Sequence, residues 1–165
     1  MKELEGKLAV ITGASTGIGK ITAIQMAEAG ADIVVHYNLS AVEAEDTADK
    51  VAKTGRKAYL VQADLSNSEG SAKLETEVKK ISSVNILVNN VGGAIKRIPF
   101  LEAGDDIWDT TLQVNIMSAV RASRSFLPNM IADKWGRIIN ISSIASRSGG
   151  QPGSVHYTTD RKSVV

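Results

Sequence analysis

Five short apolar runs punctuate the chain: Leu8-Ala9-Val10-Ile11, Ile33-Val34-Val35, Ala58 to Ala63, Ile86-Leu87-Val88 and Ile138-Ile139-Asn140-Ile141. Apolar side chains on successive residues cover both faces of a strand, which suits a parallel sheet buried between two helix layers. Helix formers fill the intervals. One segment follows Gly17 with Ile18, Ile21, Ile24 and Gln25 and closes at Gly30, and a polar one spans Ala41 to Lys53. A third, Ser68 to Ser82, carries a stripe of Leu74, Val78 and Ile81. A long one runs from Asp105 to about Asp133, with Ile107, Leu112, Val114, Met117 and Val120 on its buried side and Pro128 bending or interrupting it. Strand and helix alternate, so the expected class is α/β, a doubly wound parallel sheet in one domain. No sixth strand follows Gly149, so the sheet is expected to be incomplete at its C-terminal side.

The 165 residues are 43% hydrophobic and 22% charged, a globular composition large enough for a sizeable core. Nineteen basic residues against 18 acidic ones leave a net charge of +1, which provides no footprint for nucleic acid or anionic membrane. Aromatic residues at 4% argue against a base-stacking surface. Without cysteine there is no disulfide, thiolate metal site or cysteine nucleophile. No bilayer-length apolar run and no secretory leader are evident, and the expectation is a cytoplasmic, metal-free protein.

Thr12-Gly13-Ala14-Ser15-Thr16-Gly17-Ile18-Gly19 lies between the first strand and the first helix. Glycines there permit positive φ and close approach of a ligand to the main chain, while the helix start offers free N–H groups to an anion such as pyrophosphate. In a doubly wound sheet this turn is where dinucleotides bind. A carboxylate at the end of the second strand would select NAD, but the residues there are His36-Tyr37-Asn38-Leu39-Ser40. Its absence permits NADP, although neither this stretch nor Thr16 supplies a cation for the extra phosphate. NADP is favoured over NAD on that ground.

Beyond the fifth run stand Ser142-Ser143 and, 14 residues after Ser143, Tyr157. A phenol can pass a proton to a carbonyl oxygen that a hydroxyl such as Ser143 holds. Spacing alone leaves a plainer reading, in which the serines end a strand and Tyr157 packs on the surface. The motifs taken together resemble the short-chain dehydrogenase/reductase family, and most of all its 3-oxoacyl-carrier-protein-reductase-like members. They are the Thr12–Gly19 segment, Asp64-Leu65, Asn89-Asn90-Val91-Gly92, Val114-Asn115, Ile139-Asn140-Ile141-Ser142-Ser143 and Tyr157, in the family's order over residues 6 to 159. The resemblance implies a Rossmann fold and hydride transfer between a nicotinamide cofactor and a carbonyl or alcohol carbon of a small molecule. It makes Tyr157 the general acid/base, lets Ser143 orient the substrate oxygen, and gives Asn115 a water in a proton relay. Gly13, Ser15, Gly17, Ile18 and Gly19 would surround the phosphates, Asp64 and Leu65 the adenine, and Asn90 the adenine-side ribose. Asn89 and Gly92 would brace the centre of the sheet. His36 and His156 match nothing in the pattern and read as incidental polar residues.

The chain departs from the family at its end. Members place a lysine four residues after the tyrosine, on the same helix face, where it stabilises the phenolate and binds the nicotinamide ribose. Here position 161 is Arg, whose planar fork is no compact ammonium, and Lys162 is rotated by about 100°. Asp160 adds an electrostatic complication. Family members also carry a further helix, two more strands and a substrate loop. Asp160-Arg161-Lys162-Ser163-Val164-Val165 coincides with the translation of GAT CGG AAG AGC GTC GTG, one frame of a common sequencing adapter that continues into a stop codon. Residues 1–159 are therefore expected to be the natural part of the domain, and 160–165 a non-native tail. The parent is expected to be a homodimer or homotetramer, joined through the helix after Asn115 and the helix that bears Tyr157. Assembly would be impaired in this chain. The alternative to an active oxidoreductase is a dinucleotide-binding module with little or no turnover. Substrate choice would lie partly in 93–104, where Ile95, Ile98, Phe100 and Leu101 either wall a pocket or pack the loop.

Overall fold

A computed structural model describes residues 2–162. Its strands are β1 (Leu8–Ile11), β2 (Asp32–Tyr37), β3 (Ala58–Gln62), β4 (Ile86–Asn89) and β5 (Arg137–Asn140). All pair in parallel, in the order β3-β2-β1-β4-β5. The helices are α1 (Gly17–Glu28), α2 (Ala41–Lys53), α3 (Ser68–Lys79), α4 (Asp105–Leu112), α5 (Ser118–Ala132), α6 (Ala145–Ser148) and α7 (Val155–Lys162).

The continuous apolar runs are buried on both faces. Val10, Val34 and Leu87 point into one core with Leu74 and Val78 of α3 and Phe126 and Met130 of α5. Their neighbours Ala9, Ile11, Ile33, Val35, Ile86 and Val88 point into the other, with Ala23 and Ala27 of α1 and Ala44 and Val51 of α2. The period of two along each strand divides one apolar run between two layers. The doubly wound sheet expected from the alternation is present. Among the described residues β5 pairs with β4 alone and forms an edge of the sheet, with Ile139 exposed.

One detail adds to the reading of the sequence and two differ from it. On α1 Ile18 and Ile21 face outward, at 63% and 54% exposure, and Ile24 is half-buried, while Gly19, Ala23 and Ala27 face the sheet. Small residues let the helix lie close to β1, and close packing outweighs the hydrophobicity of the larger side chains. The long helix is three segments, because Gln113–Met117 forms a π turn between α4 and α5. The extra residue changes the buried phase to Thr111, Asn115, Ser118, Ala122, Phe126 and Met130, leaving Val120 exposed and the other four expected residues half-buried. Pro128 does not end the helix, which continues to Ala132.

Candidate active site

β1 borders both β2 and β4, so the chain reverses direction across the sheet at that point. A crevice opens at the carboxyl ends of β1 and β4, where ligands bind in sheets of this kind. Thr12 ties its walls together. Its Oγ1 accepts from the backbone N–H groups of Asn90 at 2.9 Å and Val91 at 3.0 Å, and donates to the Val88 carbonyl at 3.3 Å. The Asn90 amide donates to the carbonyls of Thr12 (2.9 Å) and Gly13 (3.1 Å), so it braces the turn as well as lining the crevice.

Gly13 has φ of 65°. Gly19 is required by proximity: a Cβ there would overlap the Gly13 carbonyl and stand 2.5 Å from the Asn90 amide. Gly17, at φ 55°, looks onto open space. No side-chain hydrogen bond from Thr16 caps α1, and no acidic residue lies in its first turn. The peptide N–H groups at this helix start are left for an external anion, so the residues present fit a pyrophosphate.

Three cavities follow one another along the crevice. The first, about 320 Å³, is lined by Gly13, Ser15, Val91 and Val114 together with His36 to Ser40 and Asp64 to Ser66. The second, about 380 Å³, shares Gly13, Ser15 and Val91 with it and adds Thr16, Ile18, Asn90, Gly92, Ile141, Ser142, Tyr157 and Arg161. Tyr157 is common to the second and the third, which is about 300 Å³ and includes Ser143, Ala94, Arg97 and Ser154. The glycine turn thus stands between one compartment and the next, and Tyr157 between that one and the last.

At the first compartment Leu65 is buried, and the Asp64 carboxylate accepts from the Ser66 N–H at 3.0 Å, which shapes the loop after β3. His36 is buried too. Its Nδ1 accepts from the Gly13 N–H at 3.0 Å, and its Nε2 lies 3.1 Å from the Ala63 carbonyl, which can only accept. The ring is therefore the neutral tautomer with the proton on Nε2. Burial lowers its pKa to about 4, against smaller raising effects of the Ala63 carbonyl and Asp64.

At the other end Tyr157 is half-buried on α7. Ser143 follows β5, and its Oγ accepts from the Ala145 N–H at 3.2 Å. Asn115 is buried in the π turn and lines none of the three compartments. Its Oδ1 accepts from the Gly93 N–H at 2.9 Å, while its Nδ2 donates to the carbonyls of Gly93 (3.1 Å) and Thr111 (2.8 Å). The Arg161 guanidinium lies 5.9 Å from the Tyr157 ring centre, donates from Nη1 to the Ile141 carbonyl at 3.0 Å and pairs with Asp160 at 2.8 Å. Asp160 in turn accepts from the Ile116 N–H of the π turn at 3.2 Å. Burial pushes its carboxyl up, while Arg161 and this N–H pull it back.

Residues 7–164 match the short chain dehydrogenase family. The chain belongs to it. A 2-dehydro-3-deoxy-D-gluconate 5-dehydrogenase of Pseudoalteromonas atlantica is 40% identical over 148 residues, covering 89% of this chain and 58% of that protein. A 3-oxoacyl-[acyl-carrier-protein] reductase of Synechocystis is 32% identical over 166 residues, covering 100% and 66%. A solved structure assigned as an NAD(P)-dependent gluconate 5-dehydrogenase from Beutenbergia cavernae, with NADP at low occupancy, has a TM-score of 0.88. It is 37% identical, with 98% of this chain and 63% of that one covered. The chain spans about three fifths of the length of its curated relatives.

In this member of the family the structure brings Gly13, Ser15, Ile18, Asn90, Asp64, Leu65, Ser143 and Tyr157 onto one crevice, with Gly17 and Gly19 in the turn beneath. Two readings change. His36 is no incidental polar residue, since it grips the Gly13 turn. His156 is buried as well, with Nε2 2.9 Å from the Lys96 carbonyl, so it fastens the loop after β4 to α7. A lone histidine inside an apolar run, beside the turn residues of the neighbouring strand, is a visible signal for the first. Nothing in the spacing indicates the second. Of the expected tail, Asp160 and Arg161 are buried, Lys162 is exposed, and Ser163–Val165 lie outside the described residues.

Proposed function

We propose that the chain is the dinucleotide-binding portion of an NAD(P)-dependent oxidoreductase that interconverts a ketone and an alcohol. The observation that carries the reading is the run of three compartments with Tyr157 at the boundary of the last two. Asp64 and Leu65 would hold the adenine, Asn90 would reach the ribose beside it, and Gly13, Ser15, Gly17, Ile18 and Gly19 would receive the phosphates. The bound nicotinamide supplies or accepts the hydride. Tyr157 gives its hydroxyl proton to the carbonyl oxygen as the carbon is reduced, and takes it back in the reverse direction. Ser143 orients that oxygen, and Asn115 holds a water of the proton path while bracing Gly93. NADP is preferred because no carboxylate stands at the end of β2; NAD is the alternative because no Lys or Arg lines that compartment.

A specific observation also supports a binding module with little turnover. The charge beside Tyr157 is an arginine committed to Asp160 and the Ile141 carbonyl, where a lysine would leave an ammonium free for the phenol and ribose. Residues 160–165 are read as a non-native end. The source locus is expected to lack codons for this hexapeptide followed by a stop; finding them there overturns the reading. The parent is read as a cytoplasmic homodimer or homotetramer acting on a small carbonyl or alcohol; among the described residues no helix is long and apolar enough to cross a membrane.

Titration of the purified chain with NADPH and NADH, followed by addition of a simple ketone, tests these readings. Saturable binding of NADPH tighter than NADH, with consumption on adding ketone, is the expected result. Binding without consumption selects the module. Absence of binding by a folded chain overturns both.

A further inference from the structure

We infer that His36 is a positioning residue for the dinucleotide: its uncharged ring holds the glycine turn in the conformation that receives the phosphates. This rests on the dinucleotide-binding reading and adds a residue to it. The backbone of His36 accepts from the Ala14 N–H at 2.8 Å, and its Nδ1 accepts from the Gly13 N–H at 3.0 Å. One residue thus engages two successive N–H groups of the turn. On its far side Nε2–H donates to the Ala63 carbonyl, next to Asp64 at the adenine compartment. The ring is a strut between the phosphate turn and the adenine loop, and it lies on the compartment wall itself.

The geometry works in one protonation state only. A second proton on Nδ1 would remove the acceptor and set an N–H against the Gly13 N–H. The ionisable group that acts on the ring is Asp64, whose charge favours the imidazolium. Burial outweighs Asp64 and keeps the ring neutral down to about pH 4. An unfolded chain protonates this histidine near 6.5, so the folded state loses stability as the pH falls from about 6.5 to about 4.

The test uses the 165-residue chain and NADPH. His36→Phe, which keeps the ring shape without either bond, should weaken binding about tenfold, one backbone hydrogen bond's worth. His36→Asn places an oxygen near Nδ1 and should recover most of that loss. His36→Gln, whose amide reaches towards Ala63 instead, should not. A fall in affinity as the pH drops below about 5 should be shallower in His36→Asn, which has no proton to gain. Nitrogen chemical shifts of the unsubstituted protein should show a bare Nδ1 and a protonated Nε2. The opposite tautomer, or equal binding by the Asn, Gln and Phe variants, overturns the inference, and the first of these needs no variant to fold. Native binding with an unaffected Phe variant rejects the strut alone, whereas no binding by the native chain rejects the dinucleotide reading with it.

Discussion

Replacing Tyr157 with phenylalanine is expected to reduce the chain's ketone-dependent oxidation of NADPH by about 10²- to 10⁴-fold, the usual contribution of a positioned acid/base group. The substitution removes one oxygen and leaves the ring, so the Arg161 guanidinium keeps its aromatic neighbour 5.9 Å away. NADPH affinity should stay within about threefold, because the turn at Gly13 is held by His36 and Asn90. Initial rates and binding titrations on the same preparations separate the two effects. If turnover survives, the proton comes from elsewhere; if binding and turnover fall together, Tyr157 is a packing residue of α7.

Gly19→Ala should abolish measurable cofactor binding, a loss of about 100-fold or more. The new methyl would meet the Gly13 carbonyl and the Asn90 amide, both of them fixed by other bonds. Relief requires α1 to move away from the turn or Asn90 to release it, and either shift removes the N–H groups from the phosphates. Overpacking at such a contact costs about 1–3 kcal/mol of stability, so thermal melting should accompany the titration. Gly55→Ala is the control. That glycine has φ of 82° with open space around it and lies at the end of α2, so strain should lower the melting temperature without changing NADPH affinity. Equal loss of binding in both variants would trace the effect to global instability rather than to the turn.

The sheet was legible because burial on both faces leaves a plain mark, as in Leu8–Ile11 and Ile86–Val88, where no residue is spared for solvent. The glycine turn was legible for a related reason: backbone that must approach a ligand or another helix excludes side chains. What escaped was set by tertiary geometry. The π turn at Gln113–Met117 inserts a single residue into the helical period and is supported by Asp160, 44 positions later. The outward Ile18 and Ile21 of α1 reflect the closeness of the sheet, which hydrophobicity alone does not encode. Of the expected site residues, Asn90 and Gly19 carry a structural duty that the motif does not reveal. His36 and His156 lie outside every motif, yet each joins two segments that only the fold brings together.

The central position of β1 has a consequence for how the chain is made. β1 leaves the ribosome before the other described strands and acquires β2 along one edge soon afterwards, but its other edge pairs with β4, and Asn85, just ahead of β4, bonds to Leu8 across 77 positions of sequence. At roughly 5–20 residues per second, translation takes about 4–15 s to supply that partner. For those seconds β1, wholly apolar among the described strands, presents unpaired backbone groups to whatever else is nearby. The interval follows from the strand order and the length of chain between the two strands, and it leaves one edge of β1 exposed before the crevice exists.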